Sequence, residues 1–278
     1  MAMTKQRASR LAVHGALILY TLLAVGPILL IVMNSFKTRK AIFGNPLSLP
    51  DGTTFSLIGY DAVLKKGDFG LYFVNSLTVT ILALALVLAL GAMAAWALTE
   101  YRFKGNTLLG LYLAIGIMVP IRLGSVAILK MMVGLGLVNT LTALVVVYTA
   151  MGLPLAIFIL SEFIQQVPRD LRDAARCDGV SEYRIFYAVI VPLIRPAIAT
   201  VAVFTMVPIW NDLWFPLILA PGRSTQTVTL GVQQFIGQYV TDWNAVLASL
   251  SLAIAPILIL YVLFSRSLVR GLTAGAVK

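Results

Sequence analysis

Residues 170–193 read DLRDAARCDGVSEYRIFYAVIVPL, the most charged stretch of a chain whose other long segments are apolar. Glu162, Arg169, Asp170, Arg172, Asp173, Arg176, Asp178, Glu182 and Arg184 all fall within or just before it. Pro168 suits the first turn of a helix, where its missing N–H is no loss, and Asp170 and Asp173 complement the positive end of the helix dipole. Leu171, Ala174, Ala175 and Asp178 lie at i, i+3, i+4 and i+7, so one face carries small residues through which a partner backbone can approach closely. Gly179 tolerates the left-handed conformation that ends a helix. Ser181 is placed to cap a second helix, which runs until Pro192 opens the next apolar span. The pattern predicts helix, hinge and helix lying at a membrane face.

The membrane follows from composition. The chain has 278 residues, 60% hydrophobic and only 12% charged, against about half apolar and a quarter charged in a soluble domain. Runs without charge cover 11–36, 69–99, 131–161 and 243–265, each reaching the roughly 20 residues that cross about 30 Å of hydrocarbon as helix; the fourth span is expected to start after GLGLVNT and to carry Pro154 as a kink. Two further spans are predicted over about 106–129, interrupted by Arg122, and about 192–220, interrupted by Arg195 and Asp212. The expected fold is therefore all-α: a polytopic membrane protein of six transmembrane helices in a single domain, 1–278. External loops are expected at 35–70, with a short helix at LIGYDAVLKK, and at 221–244. A charged cytoplasmic loop is expected at 162–187 and a cytoplasmic tail at 266–278.

Orientation comes from the distribution of Lys and Arg. With the N-terminus inside, the cytoplasmic segments hold twelve (Lys5, Arg7, Arg10, Arg102, Lys104, Arg169, Arg172, Arg176, Arg184, Arg266, Arg270, Lys278) and the outer segments seven (Lys37, Arg39, Lys40, Lys65, Lys66, Lys130, Arg223). That bias places both termini in the cytoplasm. The first span mimics a signal peptide, but its uncharged run is longer than a typical h-region and no small-x-small cleavage site follows, so it is read as an uncleaved helix.

Several chemistries are excluded. The net charge of +10 is spread over loops and helix ends instead of forming one basic face with aromatic platforms, so no nucleic acid is expected. The single cysteine, Cys177, cannot make an internal disulfide, and the single histidine, His14, has no second ligand for a metal site. No phosphate loop, zinc-protease helix, nucleophile elbow or Cys/His cluster is present. An energy source, if there is transport, lies on another chain.

The loop DAARCDGVSEYRIFYAVIVP resembles the E-A-A-x-x-x-G-(x)9-I-x-L-P loop of ATP-binding-cassette importer permeases. In that family a short coupling helix docks into a cleft on the ATPase subunit. Asp173, Ala174 and Ala175 match the acid-alanine-alanine positions, Gly179 the glycine, Ile190 the isoleucine and Pro192 the proline. Asp178 belongs to the same loop. Asp173 replaces the usual glutamate, and Val191 the usual leucine. The fragments SFKTRKAIFGNPLSLP, FVNSLTVT, MVP, LGLVNT, WNDLWFPLIL and GLTAGAVK, in that order, are similar to the smaller, six-helix permease of maltose-type carbohydrate importers.

This resemblance implies a non-catalytic permease in the bacterial inner membrane, with no cofactor of its own. It implies a second, different permease subunit, two copies of a cytoplasmic ATPase subunit that carry ATP and Mg, an external solute-binding protein, and a sugar or sugar derivative as cargo. ATP-driven closure would reach the permease through residues 170–192. The tail residues Gly271, Leu272, Thr273, Ala274 and Gly275 would reach the ATPase dimer. Translocation-pathway candidates are Arg122, Trp210, Asn211 and Asp212, because polar groups within a span must face protein or a watery cavity. Arg122 snorkelling at the outer interface is an equally open reading; Trp210 and Trp214 can stack on a sugar face, though aromatic residues near a membrane boundary are more often anchors. Two other classes stand as alternatives: an ion-coupled secondary transporter, and a non-transporting membrane scaffold.

Overall fold

The computed structural model describes residues 2–66, 68–236 and 241–274, with side chains described for 7, 9–65, 68–236 and 241–259. In chain order the helices are α1 (Ala2–Ser35), α2 (Arg39–Gly44), α3 (Ile58–Lys66), α4 (Phe69–Glu100), α5 (Asn106–Met118), α6 (Ser125–Gly134), α7 (Leu141–Gln165), α8 (Arg169–Cys177), α9 (Glu182–Ile185), α10 (Val191–Leu193), α11 (Arg195–Asn211), α12 (Trp214–Leu219), α13 (Val228–Val232) and α14 (Trp243–Ala274). Short 3₁₀ segments occupy Ile121–Gly124 and Gln233–Phe235, and a π segment, Phe186–Ile190, joins α9 to α10. Among the described residues the extended pairings are two isolated bridges, Lys37 with Phe55 and Ile236 with Thr241. An apolar chain in lipid must satisfy its backbone polar groups internally, and helix does so within one segment.

Three helices are long and apolar enough to cross a membrane unbroken: Ser9–Ser35, Phe69–Glu100 and Leu141–Gln165. Two bent pairs each count as a broken span: Asn106–Met118 with Ile121–Gly134, at 89°, and Glu182–Leu193 with Arg195–Asn211, at 76°. The described apolar part of α14, Trp243–Ile259, is shorter, so the described residues alone do not reach the expected six.

The breaks have local causes, not all of them the expected ones. The 106–134 span bends at Val119, which is extended (φ −73°, ψ 121°) because Pro120 disfavours helix in the residue before it; Arg122 sits just beyond, in the 3₁₀ segment. The uncharged run 131–161 is not one helix, in keeping with the expected start of the fourth span after GLGLVNT. It leaves the helical path through Gly136 and Asn139, both at positive φ, and re-enters helix at Leu141 after Thr140, whose hydroxyl accepts from the Ala143 N–H at 3.2 Å. Pro192 lies inside α10 and does not open the next span; Ile194 makes the turn and Pro196 stands in the first turn of α11.

The chain divides into two compact units, Met1–Gly70 with Gly231–Ala255, and Leu71–Leu230 with Pro256–Lys278. In the first, the 35–70 loop holds two helices, α2 and α3, where one was expected. Its centre is Lys37, fully buried, whose ammonium donates to Asn34 Oδ1 (3.0 Å), the Asn45 carbonyl (2.9 Å) and the Pro46 carbonyl (3.3 Å). Asn244 donates to the Lys37 carbonyl at 2.7 Å. Asp51 accepts from the N–H and hydroxyl groups of Thr53 and Thr54, and the Thr53 and Thr54 hydroxyls, then their N–H groups, pull its carboxyl down to about 2.

The second unit has two apolar clusters strung along α4. One gathers Trp96, Ile157, Leu160, Ile164, Ile185 and Ile190, the other Val79, Met132, Leu144, Tyr148, Phe215 and Leu219. Between them α4, α7 and α11 meet at glycine. A Cβ built on Gly152 would stand 2.7 Å from Val87 Cγ2 and 3.2 Å from Thr205 Cγ2, and one on Gly91 2.9 Å from the Ala156 Cβ. Small residues let helix backbones approach where lipid supplies no hydrophobic drive for association. Gly152→Leu is expected to cost about 1–3 kcal/mol by overpacking and to lower the thermal unfolding midpoint in detergent. Gly110→Leu, which meets nothing within 4 Å, is the control and leaves the midpoint unchanged or raises it.

Candidate functional site

The charged stretch folds as helix, hinge and helix. Pro168 precedes α8 as its N-cap residue, one position earlier than expected; Asp170 lies in the first turn and Arg176 in the last, the arrangement the dipole favours. At the other end the Gly179 N–H donates to the Arg176 carbonyl and the Val180 N–H to the Ala175 carbonyl, each at 3.0 Å. That double closure requires the residue between to be left-handed, and Gly179 has φ +72°. Val180 and Ala175 both lie against the Ile185–Ile190 cluster, so the hinge is seated on the core. Ser181 precedes α9 without a side-chain capping bond.

The residues singled out from the sequence separate into two sets. Leu171, Asp173, Ala174, Asp178 and Gly179 are exposed on α8 and its hinge, while Ala175 is half-buried. Ile190 is fully buried in the apolar cluster, and Pro192 is half-buried before the bend. These two hold the loop to the span and do not share the outward face of α8. Of the tail residues, Gly271, Leu272, Thr273 and Ala274 are helical in backbone with side chains outside the described set, and Gly275 lies outside the described residues.

Beneath that outward face lies a charge cluster the local spacing did not reveal. Glu100, the last residue of α4 and 11% exposed, accepts from both Arg172, 4% exposed, and Arg176. Arg172 also donates to the Val167 carbonyl at 3.2 Å, and its guanidinium lies 5.8 Å from the centre of the Trp96 ring; its Nε has no hydrogen-bond partner. Arg176 bonds Asp173 (3.0 Å) and both oxygens of Glu182 (2.7 and 3.2 Å). The Tyr101 hydroxyl donates to Glu182 at 3.0 Å. Hydrogen bonds to Glu182 and then Glu100 raise the Arg176 pKa above its already high value, and burial, reinforced by Glu182, raises that of Tyr101. α8 is thereby tied to the end of α4 and to α9.

A second polar site sits at the break between α11 and α12. Asp212, its side chain 8% exposed, accepts from the Tyr148 hydroxyl (2.9 Å) and from the N–H groups of Phe215 (3.1 Å) and Trp214 (3.3 Å). Arg122 adds one longer bond, 3.4 Å, and its own side chain is 70% exposed. Ser125 accepts from the Trp214 indole N–H at 2.7 Å and donates to the Arg122 carbonyl. These groups border a cleft of about 190 Å³ lined by Arg122, Tyr148, Met151, Phe204, Thr205 and Asp212, among others. Asn211 stays apart, exposed and bonded to the Val207 carbonyl of its own helix at 2.9 Å. Trp210 is buried, edge-on to Phe73 at 5.7 Å, and its carbonyl accepts from Thr229; it is a core residue. Asp212 thus serves the helix start as well as bordering the cleft, and Arg122 is the more exposed of the two.

A family model described as binding-protein-dependent transport system inner membrane component matches residues 87–274. The chain is 32% identical over 267 residues to the diacetylchitobiose uptake system permease protein NgcG of Streptomyces coelicolor, covering 95% of this chain and 88% of that protein. It is 31% identical over 258 residues to the arabinooligosaccharides transport system permease protein AraQ of Halalkalibacterium halodurans, covering 92% of each. Its fold is that of a chain in a solved bacterial ABC transporter involved in import of the acidic polysaccharide alginate, with a TM-score of 0.82 at 19% identity over 94% of this chain and 97% of that one.

Removing a buried acceptor's donor, or the acceptor itself, costs about 1–3 kcal/mol, whereas an exposed change costs within about 0.5 kcal/mol. Asp212→Ala and Tyr148→Phe are therefore expected to lower the thermal midpoint clearly, and Arg122→Gln hardly at all. A loss in Arg122→Gln equal to that in Asp212→Ala would show that the ion pair, and not the bonds at the helix start, holds the break together.

Proposed function

Because the chain belongs to the binding-protein-dependent transport system inner membrane components, a family of sugar ABC transporter permeases, we propose that it forms half of the translocation pathway of an ATP-driven importer. In this reading a second, different permease completes the pathway, two copies of an ATPase subunit lie beneath, and a solute-binding protein delivers cargo from outside. The cargo class is a sugar or sugar derivative, in keeping with the relatives named for diacetylchitobiose and arabinooligosaccharide uptake. Both termini lie in the cytoplasm, with the 162–187 loop on the ATPase side and the 221–244 segment outside. ATP and Mg bind the ATPase chains, where hydrolysis supplies the energy; this chain binds, orients and moves.

The observation that carries the reading is the construction of α8. A nine-residue helix presents Leu171, Ala174 and Asp178 outward, ends on a left-handed glycine, and is held from behind by two arginines on one carboxylate. An ordinary solvated linker has no use for such a backing. A helix docked on a partner needs it, since only a braced element converts a small docking shift into rigid-body movement of spans. The small side chain at Ala174 permits close approach, Leu171 supplies an apolar anchor, and Asp173, engaged by Arg176, braces the helix from its flank. On the pathway side, Arg122 faces the cleft with donors to spare, and the Tyr148 and Thr205 hydroxyls supply further polar groups.

Purification of the chain with its associated subunits, followed by ATPase activity in lipid with candidate binding proteins over a panel of sugars, tests this. A co-purifying ATPase stimulated by one sugar-loaded binding protein is expected. A side chain in the left-handed region costs about 1–2 kcal/mol, and every 1.4 kcal/mol is tenfold in affinity. Gly179→Val is accordingly expected to weaken ATPase association by on the order of tenfold while the chain still reaches the membrane. Normal association and uptake in that variant, or uptake driven by an ion gradient without an ATPase, would overturn the reading.

A further inference from the structure

Helix α4 runs unbroken from Phe69 to Glu100, and its two ends are fastened to the two segments that matter most in the function just proposed. At one end Glu100 takes both Arg172 and Arg176 of α8. About seven turns away, the buried Asn75 donates from Nδ2 to the carbonyls of Ser224 and Gln226, each at 2.9 Å. The neighbouring Ser76, also buried, accepts from the Val228 N–H at 2.9 Å. At 1.5 Å per residue, Asn75 and Glu100 stand about 38 Å apart along the axis.

The fastenings are of a kind that transmits displacement. At the inner end two guanidiniums converge on one largely buried carboxylate, and Arg176 continues to Asp173 and Glu182, so α8 cannot shift or turn without moving Glu100 or breaking charge-assisted bonds. At the outer end one amide group bridges two backbone carbonyls, and the next residue takes a backbone N–H, which pins the 224–228 backbone to α4 and not merely a side chain. The helix between is the long one without an internal proline. Pro27, Pro154, Pro208 and Pro256 lie inside α1, α7, α11 and α14, and proline is the usual cause of a kink. Its flanks lie along both apolar clusters, with Val79 and Ala83 in one and Val87, Ala95 and Trp96 in the other, so it is guided along its length.

We propose that α4 is the mechanical link between the two faces of the permease, with Glu100 and Asn75 as its positioning residues. The inference rests on the reading above, in which α8 meets the ATPase and the 221–244 segment meets the binding protein. Engagement of the loaded binding protein shifts the 224–228 backbone, α4 carries the shift through Asn75 and Ser76, and Glu100 delivers it to α8. The same path runs backwards when the ATPase closes, because coupling between two sites is reciprocal. Neither residue touches cargo or nucleotide, and each acts through the backbone it holds.

The test is a double-mutant cycle on the assembled complex in lipid, read as the ratio of ATPase activity with sugar-loaded binding protein to activity without it, per complex recovered. Substitutions so far apart ordinarily add in free energy. If α4 is the link, opening either end disconnects the same path. Asn75→Ala and Glu100→Gln are each expected to lower the ratio by on the order of tenfold, a normal size for allosteric coupling, and the double variant to be no worse than the more affected single one. Ser76→Ala, which deletes a hydroxyl and exposes no charge, is the second outer variant and is expected to act in the same direction more weakly. A merely structural role would reduce the amount of complex and leave the ratio per complex intact, and that result overturns the inference. Multiplication of the two single effects in the double variant overturns it as well, since it means two independent paths. Failure of any loaded binding protein to stimulate the unsubstituted complex is distinct from both, since it strikes the proposed function and takes this inference with it.

Discussion

The constraint on which the rest depends is that a backbone in hydrocarbon must find its own hydrogen bonds, so a helix can break there only where side chains take over the freed groups. Several breaks within the second unit are staffed in this way, although the bend at Ile194 has no side-chain capping bond. Asp212 accepts the N–H groups released at the start of α12, the Thr140 hydroxyl accepts at the start of α7, and the Ser125 hydroxyl returns a bond to the Arg122 carbonyl. Asn139, itself left-handed, accepts from the Gly222 N–H and the Thr225 hydroxyl, at 2.8 Å each, through its side chain. Polar residues thus stand where helices stop, while others, such as Asn75, Ser76 and Thr149, are buried within helix. A carboxylate such as Asp212 is costly in this setting and persists because four donors surround it.

The same reasoning separates Arg122 from Asp212, two residues that the sequence offers alike as pathway candidates. Asp212 accepts from three donors without Arg122, and the 3.4 Å bond from Arg122 is the longest of the four. The guanidinium has five donors in a fixed fork, of which this contact occupies one poorly. The acid thus closes a helix start, while the base is largely exposed beside the same cleft. Trp210 divides from Trp214 by a similar argument. One is sunk against Phe73 and the other keeps its indole N–H on Ser125 with part of its ring exposed.

The helical class, the apolar spans and the helix–hinge–helix of 170–193 were legible because each rests on local spacing: uncharged runs of sufficient length, small residues at i, i+3 and i+4, and a glycine where a helix must turn. Within the uncharged run 131–161 the start of the fourth span after GLGLVNT is legible, and Gly136 and Asn139 keep that segment out of helix. Where the sequence misleads is the third span, in which charge marks Arg122 as the interruption although Pro120 makes the break. Trp210 reads from sequence as a ring that can stack on a sugar face or anchor in the interface, and its burial against Phe73 has no signal in the local spacing. Glu100 was invisible for a different reason. It lies 72 residues from Arg172, and nothing in the run ALTEYRFKGN distinguishes an acid that ends a helix from one that receives two arginines.

That pairing also bears on why a membrane protein keeps charge in so dry a place. A buried ion pair is often no more stabilising than apolar residues of the same volume, because desolvation offsets the attraction, while loss of one partner is strongly destabilising, at about 3–5 kcal/mol. Stability by itself therefore gives poor grounds for Glu100, Arg172 and Arg176, and the Arg172 Nε left without a partner makes the cluster costlier still. What such a cluster does supply is direction. Apolar contacts between α8 and α4 would tolerate sliding, since one methyl replaces another at small cost, whereas two guanidinium groups on one carboxylate are satisfied in a single geometry. An element that must move as one body with its neighbour under load gains from that intolerance, and the shielding of Glu100 and Arg172 from solvent keeps the bond strong whatever the salt around the loop.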